Sequence, residues 1–321
     1  MHMLKTRSRV AFIDDDIKFL EGVMLYVSAA FAPTYHLRTT SLDALLTQSA
    51  ERLQEEQAQL LEITSAQASD QSAVQLALAF FADPQRFDTT TVLLADYAMP
   101  VEDGVSVCHR HGVLGLQRVL LTGIADDTRA IAAFNARSIE MFIPKKTPAL
   151  LTALRDAMQA QMCESACRRG AVLGQALTAS MRGLLHERQA AKALQELLTE
   201  LGVIEFMVLG APQGLVAVTE KGMALWIQLE DEASLPGLLE GLAELDWDTV
   251  ETEQVKDRQA FVNLDFMTQL GQHPSCSKAR VLSETPYLGA AVFELTTLPD
   301  ALKPAVHSAW VAQHHRPGIE L

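Results

Sequence analysis

Residues 9–20 read RVAFIDDDIKFL, an apolar stretch that runs directly into the three carboxylates of Asp14, Asp15 and Asp16. The apolar part, rich in β-branched residues, predicts a buried strand. Three adjacent carboxylates at the end of a strand repel one another unless a cation or hydrogen-bond donors lie nearby. Taken alone, such a run is most often a turn and a helix N-cap, so the rest of the sequence has to decide its meaning.

The composition indicates a globular protein of two domains. The chain has 321 residues, 49% of them hydrophobic and 21% charged. A net charge of −14 argues against a broad electrostatic grip on nucleic acid. Four cysteines are too few for a disulfide scaffold, and neither a secretory signal nor a membrane-spanning run is recognisable. We therefore expect a cytoplasmic protein that binds neither nucleic acid nor membrane.

Short apolar runs alternate with helical patterns in the first half of the chain. The runs are VAFI (10–13), YHLRTT (35–40), TVLLA (91–95), RVLLT (118–122) and MFI (141–143). This alternation is typical of βαβ units, so it predicts an α/β fold with a doubly wound parallel sheet of five strands and five helices. Ligands bind such sheets beyond the carboxyl ends of the strands.

Polar side chains follow four of the five runs. Asp14–Asp16 come after the first, Asp96 after the third, Thr122 ends the fourth, and Lys145 and Lys146 come after the fifth. Carboxylates from two strands make an oxygen-rich site for a hard divalent cation, Mg²⁺ by preference. A carboxylate beside such a cation and a lysine can accept a phosphoryl group, because both cations neutralise the transferring oxygens.

The order and spacing of these residues resemble the receiver domain of two-component response regulators, which has a flavodoxin-like fold. The resemblance covers roughly residues 8–165 and rests on FIDDD, LLADYAMP, VLLTG and MFIPKK. It implies that Asp14 and Asp15 hold Mg²⁺ together with the carbonyl group of Ala98. It also implies that Asp96 is the phosphoacceptor and a metal ligand.

The same resemblance assigns roles to residues on the last two strands. Lys145 is expected to contact the phosphoryl oxygen, Thr122 to move towards it, and Phe142 to act as the aromatic switch; Gly104 also fits the pattern. The implied phosphodonor is a histidine kinase or a phosphotransfer protein. Apart from accepting phosphate and hydrolysing its own phosphoryl group, the domain has no enzymatic activity that a motif indicates.

Two features depart from the family pattern. Receiver domains usually have proline after the lysine, whereas here Pro144 precedes Lys145 and Lys146 follows it, which leaves the loop geometry open. The stretch between Asp15 and Asp96 is about 35 residues longer than two helices, two strands and their loops require. We expect a helical insertion at about residues 45–85 that alters a face available to partners.

Other sites with similar ingredients fit less well. A haloacid-dehalogenase-type phosphatase has a D-x-D pattern after its first strand, but Asp16 lacks the threonine two places on, and no acidic pair follows Lys145 closely. Cys163 and Cys167 are four residues apart on one predicted helix face, and without a second pair of ligands they indicate buried small residues.

The expected domain boundaries follow these patterns. We predict a receiver domain at residues 1–147, a helical connector at 148–201 and a smaller α+β output domain at 202–321. The apolar face of the connector is compatible with a coiled-coil homodimer or with packing inside the chain, because no strict heptad persists.

The last domain contains no nucleotide, metalloprotease, hydrolase or zinc-finger motif. Output through contact with an unknown target protein is the leading hypothesis. An enzymatic or small-ligand-binding output is the alternative, and a DNA-binding transcription regulator is disfavoured by the acidic charge.

Overall fold

The computed structural model describes residues 1–27, 29–66, 72–113, 115–123, 127–314 and 318–320. Its strands are β1 (Leu4–Lys5), β2 (Arg9–Ile13), β3 (Pro33–His36), β4 (Thr90–Asp96), β5 (Gln117–Thr122), β6 (Met141–Pro144), β7 (Val203–Gly210), β8 (Gln213–Thr219), β9 (Ala224–Asp231), β10 (Ala260–Val262), β11 (Cys276–Glu284), β12 (Tyr287–Glu294) and β13 (Ile319–Glu320). Its α-helices are α1 (Ile17–Met24), α2 (Thr39–Ala66), α3 (Ala73–Ala82), α4 (Gly104–Arg110), α5 (Asp127–Asn135), α6 (Leu150–Gly170), α7 (Ala179–His186), α8 (Arg188–Glu200), α9 (Leu235–Glu244), α10 (Thr249–Lys256), α11 (Leu264–Leu270) and α12 (His307–His314). Across these ranges, none of the helices is both long enough and apolar enough to cross a lipid bilayer.

The chain divides into two compact units, each assembled from three separate stretches. The parallel-sheet unit consists of Arg7–Gln57, Pro84–Arg169 and His307–Leu321. The antiparallel-sheet unit consists of Met1–Thr6, Ala58–Asp83 and Gly170–Val306. These units differ from the contiguous segments 1–147, 148–201 and 202–321 that the sequence leads one to expect.

The parallel-sheet unit has the predicted α/β architecture of a parallel sheet with helices. The strand order is β13-β3-β2-β4-β5-β6, and every neighbouring pair is parallel. Five of these strands correspond to the predicted ones, but the sheet has six. Ile319 and Glu320 pair with Tyr35 and His36, so the predicted edge strand β3 gains a neighbour that covers its unpaired backbone groups.

Both faces of this sheet are buried, which explains why the middle of each central strand is apolar. Val10 and Phe12 of β2 pack with α1 and α6 on one face, whereas Ala11 and Ile13 pack with α2, α4 and α5 on the other. Helices on both faces favour apolar residues through the middle of each strand. Polar residues stand at the starts of β2, β4 and β5, and again at the carboxyl edge of the sheet.

The segment expected to be a connector is divided between the two units. Helix α6 packs Leu154, Met158 and Met162 into the core of the parallel-sheet unit. Leu184 of α7 and Leu194 of α8 pack in the core of the antiparallel-sheet unit. Each apolar helix face is thus buried inside a unit, as expected for packing within the chain.

The antiparallel-sheet unit is larger than the α+β domain expected at 202–321. Its seven strands have the order β1-β7-β8-β9-β12-β11-β10, with antiparallel neighbours. Leu4 of β1, Leu60 of α2 and Phe81 of α3 are buried in its core, so both the chain start and much of the predicted insertion belong to it. Residues 67–71 of that insertion lie outside the described residues.

Candidate functional site

Four neighbouring strands of the parallel sheet bring the predicted site residues to one edge. Asp14 follows β2 directly, Asp96 ends β4, Thr122 ends β5 and Lys145 follows β6. In a parallel sheet the carboxyl ends of adjacent strands share an edge, so residues more than 130 positions apart in the chain converge. The structure brings all four together.

Lys145 joins the two most buried carboxylates of this edge. Its Nζ lies 2.7 Å from Oδ2 of Asp14 and 2.7 Å from Oδ1 of Asp96. Asp14 and Asp96 are only 1% and 5% exposed, so both carboxylates need a partner inside the protein. The ammonium group supplies the positive charge that allows the two acids to face each other.

A third carboxylate completes an oxygen-rich cluster. Oxygen atoms of Asp14, Asp15 and Asp96 lie within 4.8 Å of one another, and Asp15 is exposed to solvent. Hard carboxylate oxygens at this separation suit a divalent cation such as Mg²⁺, with the exposed side left for water or a substrate oxygen. The donor set therefore fits the cation that the sequence implies.

Asp16 has a different task from its two neighbours. Its Oδ1 accepts hydrogen bonds from the backbone N–H groups of Lys18 and Phe19, at 2.9 and 3.2 Å, and so caps α1. Its own N–H donates to Oδ1 of Asp14 at 3.0 Å, which fixes that carboxylate at the strand end. The acidic triplet thus contains two site carboxylates and one helix cap.

The electrostatics of the site favour a bound cation. Burial raises the pKa of Asp14 to about 6, and the hydrogen bond from Lys145 opposes that rise only in part. For Lys145, burial lowers the pKa, but the hydrogen bonds to Asp14 and Asp96 outweigh it, and the net shift is upward. The lysine stays charged while its carboxylate partners are crowded and poorly solvated.

Thr122 and Phe142 occupy neighbouring strands beside this cluster. Thr122 is fully buried, and within the described part of the chain its hydroxyl group has no hydrogen-bond partner. Phe142 is half-buried and packs against the core that contains α4 and α5. A buried hydroxyl without a partner can donate to a new acceptor that arrives in the site.

The loop after β6 reaches the site without the usual proline. Over residues 144–147, all of which the structure describes, there is no cis peptide bond. The backbone N–H of Lys145 donates to the carbonyl of Thr122 at 2.8 Å, and that of Thr147 donates to the carbonyl of Pro144 at 2.9 Å. Lys145, rather than the exposed Lys146, therefore points at the carboxylates.

The close approach of Gly104 to Asp96 explains why position 104 is a glycine. A Cβ atom added to Gly104 would lie 2.1 Å from the carbonyl oxygen of Asp96, a distance that no side chain tolerates. The N–H of Gly104 donates to the carbonyl of Tyr97 at 3.1 Å, and that of Ala98 donates to Oδ2 of Asp96 at 3.0 Å. Glycine lets α4 start against the backbone of Asp96 and holds that residue in place.

Two contacts near the site are not apparent from the sequence. The ring of Phe19 lies 4.4 Å from Nζ of Lys145, close enough for a cation–π interaction. Arg129 of α5 donates to the Tyr97 hydroxyl group at 2.5 Å. Both pairs come from residues distant in the chain, and in the sequence Phe19 looks like any other apolar residue of an amphipathic helix.

Comparisons with known proteins bear on the fold. The structure is similar to that of the Legionella pneumophila response regulator LqsR, with a TM-score of 0.71 at 17% sequence identity over 96% of this chain and 95% of that chain. A CheY-like response regulator receiver domain protein from Methanospirillum hungatei JF-1 aligns at 14% identity over 50% of this chain and 99% of its own, with a TM-score of 0.29. An adenylate cyclase from Rhodopirellula baltica aligns at 17% identity over 50% and 90% of the two chains, with a TM-score of 0.35.

No protein-family model matches the sequence, and no curated protein matches it. TM-scores of 0.29 and 0.35 are too low to establish a shared fold. The alignment with LqsR spans nearly the whole of both chains, and its identity of 17% makes it evidence about architecture. The chain therefore shares the fold of the response regulator LqsR over almost its entire length.

Proposed function

We propose that the chain is a response regulator of a two-component system and that Asp96 accepts its phosphoryl group. The observation that carries the proposal is the bridge from Lys145 to Asp14 and Asp96, at 2.7 Å each, beside the exposed carboxylate of Asp15. A phosphoacceptor needs a nucleophilic carboxylate, a cation for the phosphoryl oxygens and room on one side, and this edge offers all three. The fold shared with LqsR supports the same conclusion.

The transfer step follows from the positions of these groups. An oxygen of Asp96 attacks phosphorus, a new O–P bond forms, and the bond from phosphorus to the donor's imidazole nitrogen breaks. The electron pair of that bond stays on the imidazole. Asp96 becomes an acyl phosphate, and Lys145 moves from pairing with a carboxylate to pairing with a phosphoryl oxygen. Mg²⁺, when bound by Asp14, Asp15 and Asp96, supplies further neutralisation of the developing charge.

We propose that phosphorylation is reported by Thr122 and Phe142. The partnerless hydroxyl of Thr122 gains an acceptor when a phosphoryl oxygen arrives, which draws its side chain towards Asp96. Phe142 then fills the space that Thr122 leaves. Two packings of the same residues make a two-state surface, which phosphorylation biases. The resemblance to receiver domains also assigns the carbonyl group of Ala98 to the metal.

The proposed partners follow from this function. A histidine kinase or a phosphotransfer protein supplies the phosphoryl group in the cytoplasm. The net charge of −14 favours a protein target for the output over nucleic acid. A second output, the binding of a small ligand, is favoured by a pocket in the antiparallel-sheet unit that contains a buried carboxylate, Glu230.

The experiment is phosphorylation by acetyl phosphate with Mg²⁺, measured by intact-protein mass spectrometry. The wild type is expected to gain one phosphoryl group that hydroxylamine removes, because acyl phosphates react with hydroxylamine. Asp96→Asn is expected to gain none, whereas the control Asp156→Asn, an exposed acid on α6, is expected to match the wild type.

An unmodified wild type would contradict the proposal, provided that beryllium fluoride with Mg²⁺ also leaves the protein unchanged. Beryllium fluoride mimics the acyl phosphate without any transfer chemistry. Its effect on thermal unfolding therefore separates a site that cannot bind the phosphoryl group from a site that is merely slow to acquire it.

A further inference from the structure

The antiparallel-sheet unit contains a pocket that the proposed phosphorylation does not use. It has a volume of about 430 Å³ and lies between β8 and β9 of the sheet and helices α9 and α11. Pockets of this size hold small organic molecules. The lining residues come from all four elements, so the pocket is part of the folded unit rather than a gap beside one loop.

The charged residues of the pocket are all acidic. Glu230 and Asp265 line it, and its lining residues, all of them described, include no lysine, arginine or histidine. Glu230 is only 6% exposed. One of its oxygens accepts a hydrogen bond from Nε2 of Gln228 at 2.7 Å and the other accepts from Oγ of Ser234. Both donors are neutral, and this carboxylate forms no ion pair with any residue that the structure describes, in contrast to the usual pairing of buried charges.

The carboxylate oxygens have capacity for a further partner. A carboxylate can accept about four hydrogen bonds, and Glu230 has two from the protein side chains named above. Asp265 lies in the first turn of α11 and is exposed to solvent at the rim. A buried acid and a rim acid therefore face one pocket.

One wall of the pocket is apolar. The ring of Phe266 stacks on Trp226, with 4.4 Å between the centroids, and forms an apolar wall of the pocket. An apolar wall beside two carboxylates suits a ligand that has a carbon skeleton as well as a charge.

A neutral donor in the same pocket also has no partner. Nε2 of Gln213 is buried and makes no hydrogen bond within the described part of the chain. Buried donors are nearly always satisfied, so this amide group indicates an acceptor atom that the protein itself does not supply. The observation is independent of the two carboxylates.

We propose that this pocket binds a small organic cation. Its ammonium or guanidinium group is held between Glu230 and Asp265, its carbon skeleton packs on Phe266, and a hydrogen-bond acceptor on the ligand meets Gln213. The site lies within the antiparallel-sheet unit and does not depend on the phosphorylation of Asp96. Its charge makes anionic ligands, nucleotides included, unfavourable.

The acidity of Glu230 supports a dependence on pH. Burial raises the pKa of Glu230 to about 7, and the hydrogen bonds from Ser234 and Gln228 oppose the rise. The charged or titratable groups that act on it are Asp231 of the same strand, Asp265 of α11 and Tyr287 of β12. A cation binds the ionised acid, so affinity rises as the pH increases through 7, and binding releases a proton.

The test is isothermal titration calorimetry of the full chain at pH 8 with four cations: L-arginine amide, agmatine, spermidine and choline. At least one is expected to bind, and succinate is expected not to bind. Glu230→Gln and the surface variant Asp265→Asn are each expected to weaken binding about tenfold or more, a loss typical of one charged partner. Glu232→Gln, an exposed acid that pairs with Arg258 at 3.0 Å, is the matched control and is expected to leave affinity unchanged.

Agmatine and L-arginine amide differ in the carboxamide group. Gln213→Leu is expected to weaken the binding of L-arginine amide but not that of agmatine, which lacks the carboxamide oxygen. The proposal would be overturned if none of the four cations bound, or if both Glu230→Gln and Asp265→Asn left the affinity unchanged. Repeating the titration with Asp96→Asn separates this result from the proposed function, because that variant cannot be phosphorylated and is expected to bind as the wild type does.

Discussion

Each of the two units buries carboxylates at its candidate site, but their surroundings differ in charge. In the parallel-sheet unit, Asp14 and Asp96 share the ammonium group of Lys145 at 2.7 Å. In the antiparallel-sheet unit, the side chains that donate to Glu230 within the described ranges are the neutral Gln228 and Ser234. A buried carboxylate is thus paired with an ammonium group in the parallel-sheet unit and has neutral hydrogen-bond donors in the antiparallel-sheet unit.

The difference shows what burial alone does to an acid. The pKa rises in both places, to about 6 for Asp14 and to about 7 for Glu230, because burial penalises the charged form. Where a lysine is supplied, the acid is largely ionised at neutral pH and can bind a metal ion. Where no lysine is supplied, the acid either binds a cation from solution or takes up a proton.

The largest expected effect is on the backbone that carries Asp96. Gly104→Ala places a Cβ atom against the carbonyl oxygen of Asp96, so the strand end or α4 has to move. We expect the free energy of unfolding to fall by about 3 kcal/mol, within the range of severe steric substitutions. Urea denaturation followed by circular dichroism measures it. Gly22→Ala in α1, where a Cβ atom meets nothing within 4 Å, is expected to be neutral or slightly stabilising.

The next effect tests the internal cation directly. Lys145→Met leaves Asp14 and Asp96 without their shared partner and removes positive charge from the phosphoryl oxygens. We expect the initial rate of phosphorylation by acetyl phosphate to fall by about 100-fold, comparable to the loss of one transition-state donor elsewhere. Mass spectrometry over time gives the rate.

The neighbouring lysine is the matched control for that experiment. Lys146→Met removes a charge from an exposed position that the carboxylates do not contact, and the rate is expected to stay within about twofold of the wild type. A larger loss from Lys146→Met than from Lys145→Met would reverse the assignment of the two lysines.

The antiparallel-sheet unit predicts a stability effect with a defined sign. The pKa of Glu230 is raised in the folded state from its ordinary 4.5 to about 7, so its contribution to stability is present below pH 4.5 and is lost as the pH rises through 7. Glu230→Gln avoids this loss of stability because glutamine does not ionise. At pH 8 without ligand, we expect it to raise the free energy of unfolding by about 2 kcal/mol, and at pH 4.5 by almost nothing.

Urea denaturation at the two pH values measures this difference. Glu232→Gln, which alters an exposed ion pair, is expected to change stability by less than about 0.5 kcal/mol at either pH. If Glu230→Gln destabilised the protein at pH 8, the carboxylate would have a partner after all, and the contrast between the two sites would fail.

The smallest expected effect concerns the aromatic contact of the lysine. Phe19→Leu keeps an apolar side chain but removes the ring that lies 4.4 Å from Nζ of Lys145. A cation–π contact contributes about 0.5–1 kcal/mol at a partly exposed site, so phosphorylation is expected to slow about two- to fivefold. Tyr26→Leu, which changes an exposed aromatic residue after α1, is the control and is expected to have no effect.

The parallel-sheet site was largely predictable because its rule is local. A run of apolar residues predicts each strand, and the first polar residue after that run lies at the carboxyl edge of the sheet. That rule predicts Asp14, Asp96, Thr122 and Lys145 from the sequence. Their individual roles in phosphoryl transfer stay predictions until phosphorylation is measured.

The antiparallel-sheet pocket was not predictable in this way. In the sequence, Glu230 belongs to LEDE, which looks like a charged strand end exposed to solvent. Only the packing of α9 and α11 on β9 buries it, and nothing local in the sequence signals that packing. Strands β1 and β13 escaped prediction for a related reason, because two residues are too few to show a period.

The sequence by itself determined the α/β fold of the first sheet and the carboxylates and lysine that meet at its edge, since strand period and strand ends are local properties of a chain. Tertiary structure decided how the two units divide the chain and that Glu230 is buried without an ion pair to any described residue. These outcomes depend on which distant side chains become neighbours, and burial then sets the energy of every charge that they enclose.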